Sequence, residues 1–130
     1  MTEFSSALSI AASGMQSQTH RLRYVSENIA NADTPGYRRK MAVFEPDTGR
    51  GANAGMIAPG QVQLDQSELT RIHQPGHPLA DQDGYFDGSN VDLVVELADA
   101  REAQRSYEAN LRVFDQVRQM STALNDLLRR

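Results

Sequence analysis

Two long stretches of this chain repeat apolar residues at helical spacing, and a segment rich in turn residues separates them. Between residues 3 and 31, Phe4, Leu8, Ala11, Met15, Gln18, Leu22, Val25 and Ile29 recur at alternating intervals of four and three. That heptad period predicts a helix with a narrow, coiled-coil-type seam instead of the broad apolar face of a globular helix. Between residues 91 and 128, Leu97, Ala100, Gln104, Tyr107, Leu111, Phe114, Val117, Ser121, Leu124 and Leu128 recur at threes and fours and predict a second helix. Ser89 or Asn90 is the expected N-cap. Asp92 and Glu96 in the first turns and Arg129 and Arg130 at the far end match the helix dipole.

Between the helices the period changes. Tyr37 to Phe44 alternates Tyr37, Arg39, Met41 and Val43 on one side, and Gln61 to Asp65 alternates through Val62 and Leu64, with Leu69 and Ile72 extending the strand tendency. Residues 49–60 (GRGANAGMIAPG) read as a loop. All five Pro lie between residues 35 and 78, and eight of the nine Gly lie between 36 and 88. Since these residues end helices and mark turns, the expected organisation is an N-terminal helix over 1–34, an irregular middle with β structure over 35–88, and a C-terminal helix over 89–130. The expected fold class is mainly α. Two long terminal helices form one discontinuous coiled-coil core, and the small β-containing middle is rich in Gly and Pro.

Composition narrows the function. The chain has 130 residues, 39% of them hydrophobic, and a formal charge of −4, with none of the three segments net basic. Partners that need a basic face, nucleic acid and anionic lipid, are therefore not expected. There is no Cys, which excludes disulfides and thiolate chemistry. No apolar run is long enough to span a membrane, and the N-terminus begins with an acid where a cleaved signal peptide has a basic region. His73, His77, Asp81 and Asp83 invite a metal reading, but Pro75 and Gly76 keep the two His off one helix face and no Glu closes a calcium frame. Gly49 to Gly55 lacks the Lys-Ser/Thr of a phosphate loop. Arg38-Arg39-Lys40 reads as a solvated strand face or an interface charge. No catalytic, cofactor-binding or metal-binding residue is predicted.

The end of the first helix is more specific. Pro35 disfavours α geometry at Thr34, Asn31 suits a left-handed closing position, and Pro35-Gly36 suits the centre of a type II turn. Asn28 and Asn31, one turn apart, present amides to the loop backbone. Narrow seams carrying Ala, Gln and Ser stabilise a lone helix pair only weakly, so the missing burial is expected from other subunits.

The segment N-I-A-N-A-D-T-P-G-Y (Asn28 to Tyr37) resembles the signature of the axial rod, hook and hook-associated proteins of the bacterial flagellum. H-P-x-A-D-x-x-G-Y (His77 to Tyr85), Asn90-Val91 and E-x-x-x-x-R-E-A-Q-R-S-Y-E-A-N (Glu96 to Asn110) are similar to the proximal rod subunits of the FlgC type; the compact T-P-G-Y is also similar to the sister FlgB type. The resemblance implies a structural rod subunit, with no cofactor, that assembles helically with copies of itself and with other flagellar rod proteins and transmits torque from motor to hook. It also implies export by the flagellar type III apparatus without a cleaved signal, to a final place in the periplasmic basal body. The expected assembly interface is Phe4, Leu8, Met15, Leu22, Val25 and Ile29 in the first helix and Leu97, Tyr107, Leu111, Phe114, Leu124 and Leu128 in the second. Asn28, Asn31, Pro35 and Gly36 are expected to set the helix exit. A soluble coiled-coil adaptor or chaperone is the alternative from another class.

Overall fold

The fold is described from a computed structural model covering residues 2–48 and 54–130. Helix α1 runs from Thr2 to Ala30 and helix α2 from Leu93 to Leu128. At 1.5 Å per residue, their 29 and 36 residues give lengths of about 44 and 54 Å. The helices lie antiparallel. Asn28 at the end of α1 bonds Glu96 at the start of α2, Arg21 meets Asp99, and Gly14 faces Asn110. Among the described residues the connecting segment forms six short strands, β1 (Lys40–Met41), β2 (Phe44–Pro46), β3 (Ile57–Pro59), β4 (Gln63–Leu64), β5 (Arg71–His73) and β6 (Tyr85–Asp87), in three antiparallel pairs, β1 with β4, β2 with β3 and β5 with β6.

The first two pairs are one interrupted ribbon. Bonds from Asp65 N–H to Arg39 O, Gly60 N–H to Val43 O and Asp47 N–H to Met56 O continue the ladder past its short strands. The ribbon folds back along α1, and its β3 edge is closed by two helix hydroxyls. Ser13 Oγ accepts from Ile57 N–H at 3.2 Å, and Ser17 Oγ donates to Ile57 O at 3.5 Å. A strand edge covered in this way offers little to another chain.

The helix pair buries small and polar residues. Ala11, Ser13, Gly14, Ser17, Val25 and Asn28 are the buried residues of α1, and Glu96 and Ala103 those of α2. A Cβ on Gly14 would stand 2.8–2.9 Å from the Asn110 amide, so this glycine, isolated in an otherwise regular helix, marks a close approach of the two helices.

Three local expectations are corrected. Asp92, not Ser89 or Asn90, caps α2, its carboxylate accepting from Val94 N–H at 2.9 Å. Ser89 and Asn90 are engaged elsewhere, Ser89 donating to Ala32 O and Asn90 accepting from Arg39 N–H at 2.6 Å. Asn31 is not left-handed, since no non-glycine residue among those described has positive φ; its amide instead donates to Glu27 O at 2.8 Å. Residues 57–59 of the expected loop form β3, and residues 49–53, with most of the glycine-rich run, lie outside those described.

Candidate functional site

The chain leaves α1 through a turn its sequence dictates. Gly36 takes φ 74°, and Tyr37 N–H donates to Thr34 O at 3.2 Å, as a type II turn with Pro35-Gly36 at its centre requires. This turn brings β1 back against the last turn of α1, where Asn28 receives it. The fully buried Asn28 makes four bonds. Its amide donates to Lys40 O (2.9 Å) and to Glu96 Oε2 (3.1 Å), and its carbonyl accepts from Lys40 N–H (2.8 Å) and from the Tyr37 hydroxyl (2.9 Å). One side chain thus pairs with a strand residue on both backbone groups and ties it to α2.

Around Asn28 lies a clasp of charges. Glu96 is fully buried and accepts from Arg39 Nε, while Arg39 also reaches Asp99 Oδ2 at 3.0 Å. Asp99 accepts from Arg21 of α1 at 2.7 Å, and Lys40 pairs with Glu27 at 2.7 Å. Burial works against the charge on Arg39, but the bond to Glu96 and the nearby Asp99 and Asp65 carboxylates outweigh it and hold its pKa above the usual value. The bond to Lys40 holds the Glu27 carboxyl below its ordinary range, and the same bond raises Lys40. Burial pushes the Tyr37 hydroxyl up. The sequence reading gave Arg38-Arg39-Lys40 to solvent or an interface. Arg39 instead joins helix exit, strand and second helix. The signal available was Glu96 itself, an acid one turn into an otherwise apolar helix start.

The predicted interface residues divide by depth. Val25 is buried; Phe4, Leu8, Met15, Leu22, Tyr107 and Phe114 are half-buried; Ile29, Leu97, Leu111, Leu124 and Leu128 are exposed. Of the exit residues, Asn31 is half-buried and Pro35 and Gly36 are exposed. In antiparallel helices at about 100° per residue, Leu8, Met15 and Leu22 of α1 and Leu97, Gln104 and Leu111 of α2 line the same side of the pair. That side is the one away from the ribbon. Here Thr19, Leu22, Gln104, Tyr107 and Glu108 enclose an open groove of about 380 Å³. The sequence heptads therefore mark an open furrow between the helices more than their closed contact.

Among the described residues no group of His, Asp and Glu is arranged to hold a metal ion, and no helix is long and apolar enough to cross a membrane. Asp81 closes its own turn, accepting from Asp83 N–H (2.9 Å), Tyr85 N–H (3.0 Å) and Arg71 (2.7 Å). The rings of His77 and Phe86 stack at 4.0 Å.

Residues 8–38 match the family model described as flagella basal body rod protein, and residues 82–127 match that of the flagellar basal body rod FlgEFG protein C-terminal. The flagellar basal-body rod protein FlgC of Agrobacterium fabrum is 40% identical, over 99% of this chain and 98% of its own. The chain belongs to the FlgC family. FlgC of Salmonella typhimurium is 37% identical over 85% of this chain and 87% of its own, and FlgC of Aquifex aeolicus 34% identical over 88% and 89%. FlgC proteins are structural rod components, not enzymes, and this chain is a structural subunit of the flagellar basal body that associates with other rod components. The two matched stretches contain Asn28 and Glu96, so the clasp joins the two stretches that match the flagellar rod family models.

Proposed function

We propose that this chain is a proximal-rod subunit whose terminal helices form a coiled-coil core and assemble helically with copies of itself and with other flagellar rod proteins. The observation that carries the reading is the open furrow on the ribbon-free face, where Leu8, Met15, Leu22, Leu97 and Leu111 are left half-buried or exposed by the single chain. Phe4, Leu8, Met15, Leu22 and Ile29 of α1 and Leu97, Tyr107, Leu111, Phe114, Leu124 and Leu128 of α2 make the assembly surface, and Val25 underlies it from the helix contact. Asn28, Asn31, Pro35 and Gly36 hold the helix exit that sets the middle segment against this core. Of the described apolar residues, only Ala11, Val25, Phe86 and Ala103 are buried within the chain. A core this thin supports two further parts of the reading. The chain travels unfolded through the flagellar type III export apparatus, without a cleaved signal peptide, to the periplasmic space. There most of its apolar burial comes from neighbours, which makes a stiff rod able to transmit torque from motor to hook.

The test is Leu111→Asp. Leu111 is 41% exposed in the single chain, so the variant retains its helical circular dichroism. Each buried Leu at a subunit contact is worth about 1.5–3 kcal/mol, and the carboxylate adds its own desolvation cost. Cells carrying the variant are expected to lose motility and to yield basal bodies without complete rods. Normal rods built from Leu111→Asp chains would overturn the assignment of this face.

A further inference from the structure

Helix α2 carries a second heptad line that the first does not explain. Ala109, Val113, Gln116, Met120, Ala123 and Leu127 follow one another at intervals of four, three, four, three and four. All six are exposed, Val113 at 50%, Met120 at 53% and Leu127 at 67%. None is charged, although this half of the helix also carries Arg112, Asp115, Arg118 and Asp126. At about 100° per residue, the line lies about 120° around α2 from the side that meets α1, which Glu96, Ala103 and Asn110 identify. It therefore points away from the furrow. An uncharged 3-4 repeat over about 27 Å of helix is a knob line without a partner among the described residues of its own chain.

We infer that this line seats in the furrow of a second copy of this chain, against the α1 positions Leu8, Ala12, Met15, Thr19, Leu22 and Ser26. These also follow intervals of four, three, four, three and four, and none is charged. In an antiparallel pairing the two repeats stay in phase. Two of the in-phase registers set Gln116 against a hydroxyl, Thr19 or Ser26, and set Met120 and Leu127 against Leu or Met, and these two are the ones inferred. Neither line carries a charge, so neither strands an ion of its own on contact. The mode is helix-in-groove recognition. A strip of this length buries less than the roughly 800 Å² per partner of a standard stable pair, so it serves a lattice of repeated contacts instead of an isolated dimer. Knob line and furrow lie on roughly opposite sides of the molecule. A contact between them is heterologous and repeats from copy to copy without closing. The inference rests on the rod reading above and names which surfaces of that assembly meet.

The absence of Cys from the chain makes the test direct. Two double variants, Ala123→Cys with Ala12→Cys and Ala123→Cys with Thr19→Cys, place thiols at exposed small positions in those two registers. Within one chain, residue 12 lies level with about residue 112, roughly 16 Å along the helices from residue 123. Residue 19 is farther still, so only a neighbour can complete a disulfide, which needs Cα atoms within about 7 Å. The control pairs Ala123→Cys with Ala58→Cys on the ribbon. In isolated basal bodies under mild oxidation, one furrow pair should give disulfide-linked oligomers and the control none. Adding Met120→Glu should abolish the link while leaving monomer circular dichroism unchanged. If the variants enter basal bodies and neither furrow pair links above the control, this contact is wrong and the rod reading stands. If the unsubstituted chain is itself absent from basal bodies, the rod reading fails and this inference fails with it.

Discussion

The ion pair between Arg39 and Glu96 is the strongest single test of the clasp, because removal of either partner has unequal consequences. Arg39→Met leaves the carboxylate of Glu96, which is fully buried, with Asn28 as its remaining donor among the described residues. An uncompensated buried charge of this kind costs about 3–5 kcal/mol. Glu96→Leu is gentler. Arg39 keeps Asp99 at 3.0 Å and Asp65 at 4.0 Å, and its side chain is 16% exposed, so its charge remains partnered. That change costs about 1–3 kcal/mol, the range for a lost buried bond. In the double variant Asp99 retains Arg21 at 2.7 Å and the Asn28 amide retains Lys40 O at 2.9 Å. No charge is then stranded, and the apolar pair packs between the helices. The double variant is therefore expected to be more stable than Arg39→Met alone by about 2 kcal/mol. Urea unfolding followed by far-UV circular dichroism reads the four midpoints, with an unchanged slope confirming that only stability moved. A double variant destabilised by the sum of the two single effects would show that the pair is not coupled, and the clasp would lose its place as the joint between exit turn, ribbon and second helix.

Two further outcomes follow from the geometry. Gly14→Leu should destabilise the chain by about 1–3 kcal/mol, because its side chain enters the space of Asn110; Asn110→Ala should restore part of that loss in a thermal melt, and an equal loss in both backgrounds would refute the close approach. The Asp81 carboxyl is held below the ordinary value chiefly by the Tyr85 N–H, with Arg71 and the Asp83 N–H adding to it. A depressed carboxyl contributes stability that is present above the unfolded value, about 4, and is lost as pH falls through the lowered folded value. The Tyr85 resonances of the β5–β6 hairpin should therefore shift in that acid range, and Asp81→Asn should remove the transition.

The elements legible in the sequence were those whose cause is local. The limits of α1 and α2, near Pro35 and near residue 91, follow from proline geometry and heptad spacing, and the turn at Pro35-Gly36 follows from the one residue that takes positive φ there without strain. The cap of α2 was missed because three candidate caps stand close together. Tertiary bonds to Ala32 and to Arg39 occupy Ser89 and Asn90 and leave Asp92 to the helix. Strand β3 was missed because Ile57-Ala58-Pro59 has no alternation of its own and is held by Ser17 and Ser13, forty and forty-four residues away in the chain. Arg39 was misplaced for the same reason, since its partners come from α2 and no local pattern announces them.

The heptads were the most instructive part, because both fall on helices and, Ala11 and Val25 apart, their residues do not coincide with the ones the helix pair buries. A straight helix with 3.6 residues per turn carries a strict seven-residue repeat about 20° around its axis with each heptad. Over the four heptads of α1 the line slips well off the partner unless the pair supercoils. Apart from Val25, the residues that α1 buries most deeply are small or polar, Ala11, Ser13, Gly14, Ser17 and Asn28, while Leu8, Met15 and Leu22 stand at the rim. Small residues at the contact let the two helices approach closely, and that approach displaces the large ones to the edge of the furrow. Adding bulk at the contact, as in Gly14→Leu, would spread the helices and change the shape of the furrow without touching a rim residue. Internal packing and the external surface are thus set by the same choice of small side chains. Loss of assembly in Gly14→Leu chains that remain helical, with recovery on adding Asn110→Ala, would show that the spacing of this pair governs what seats upon it.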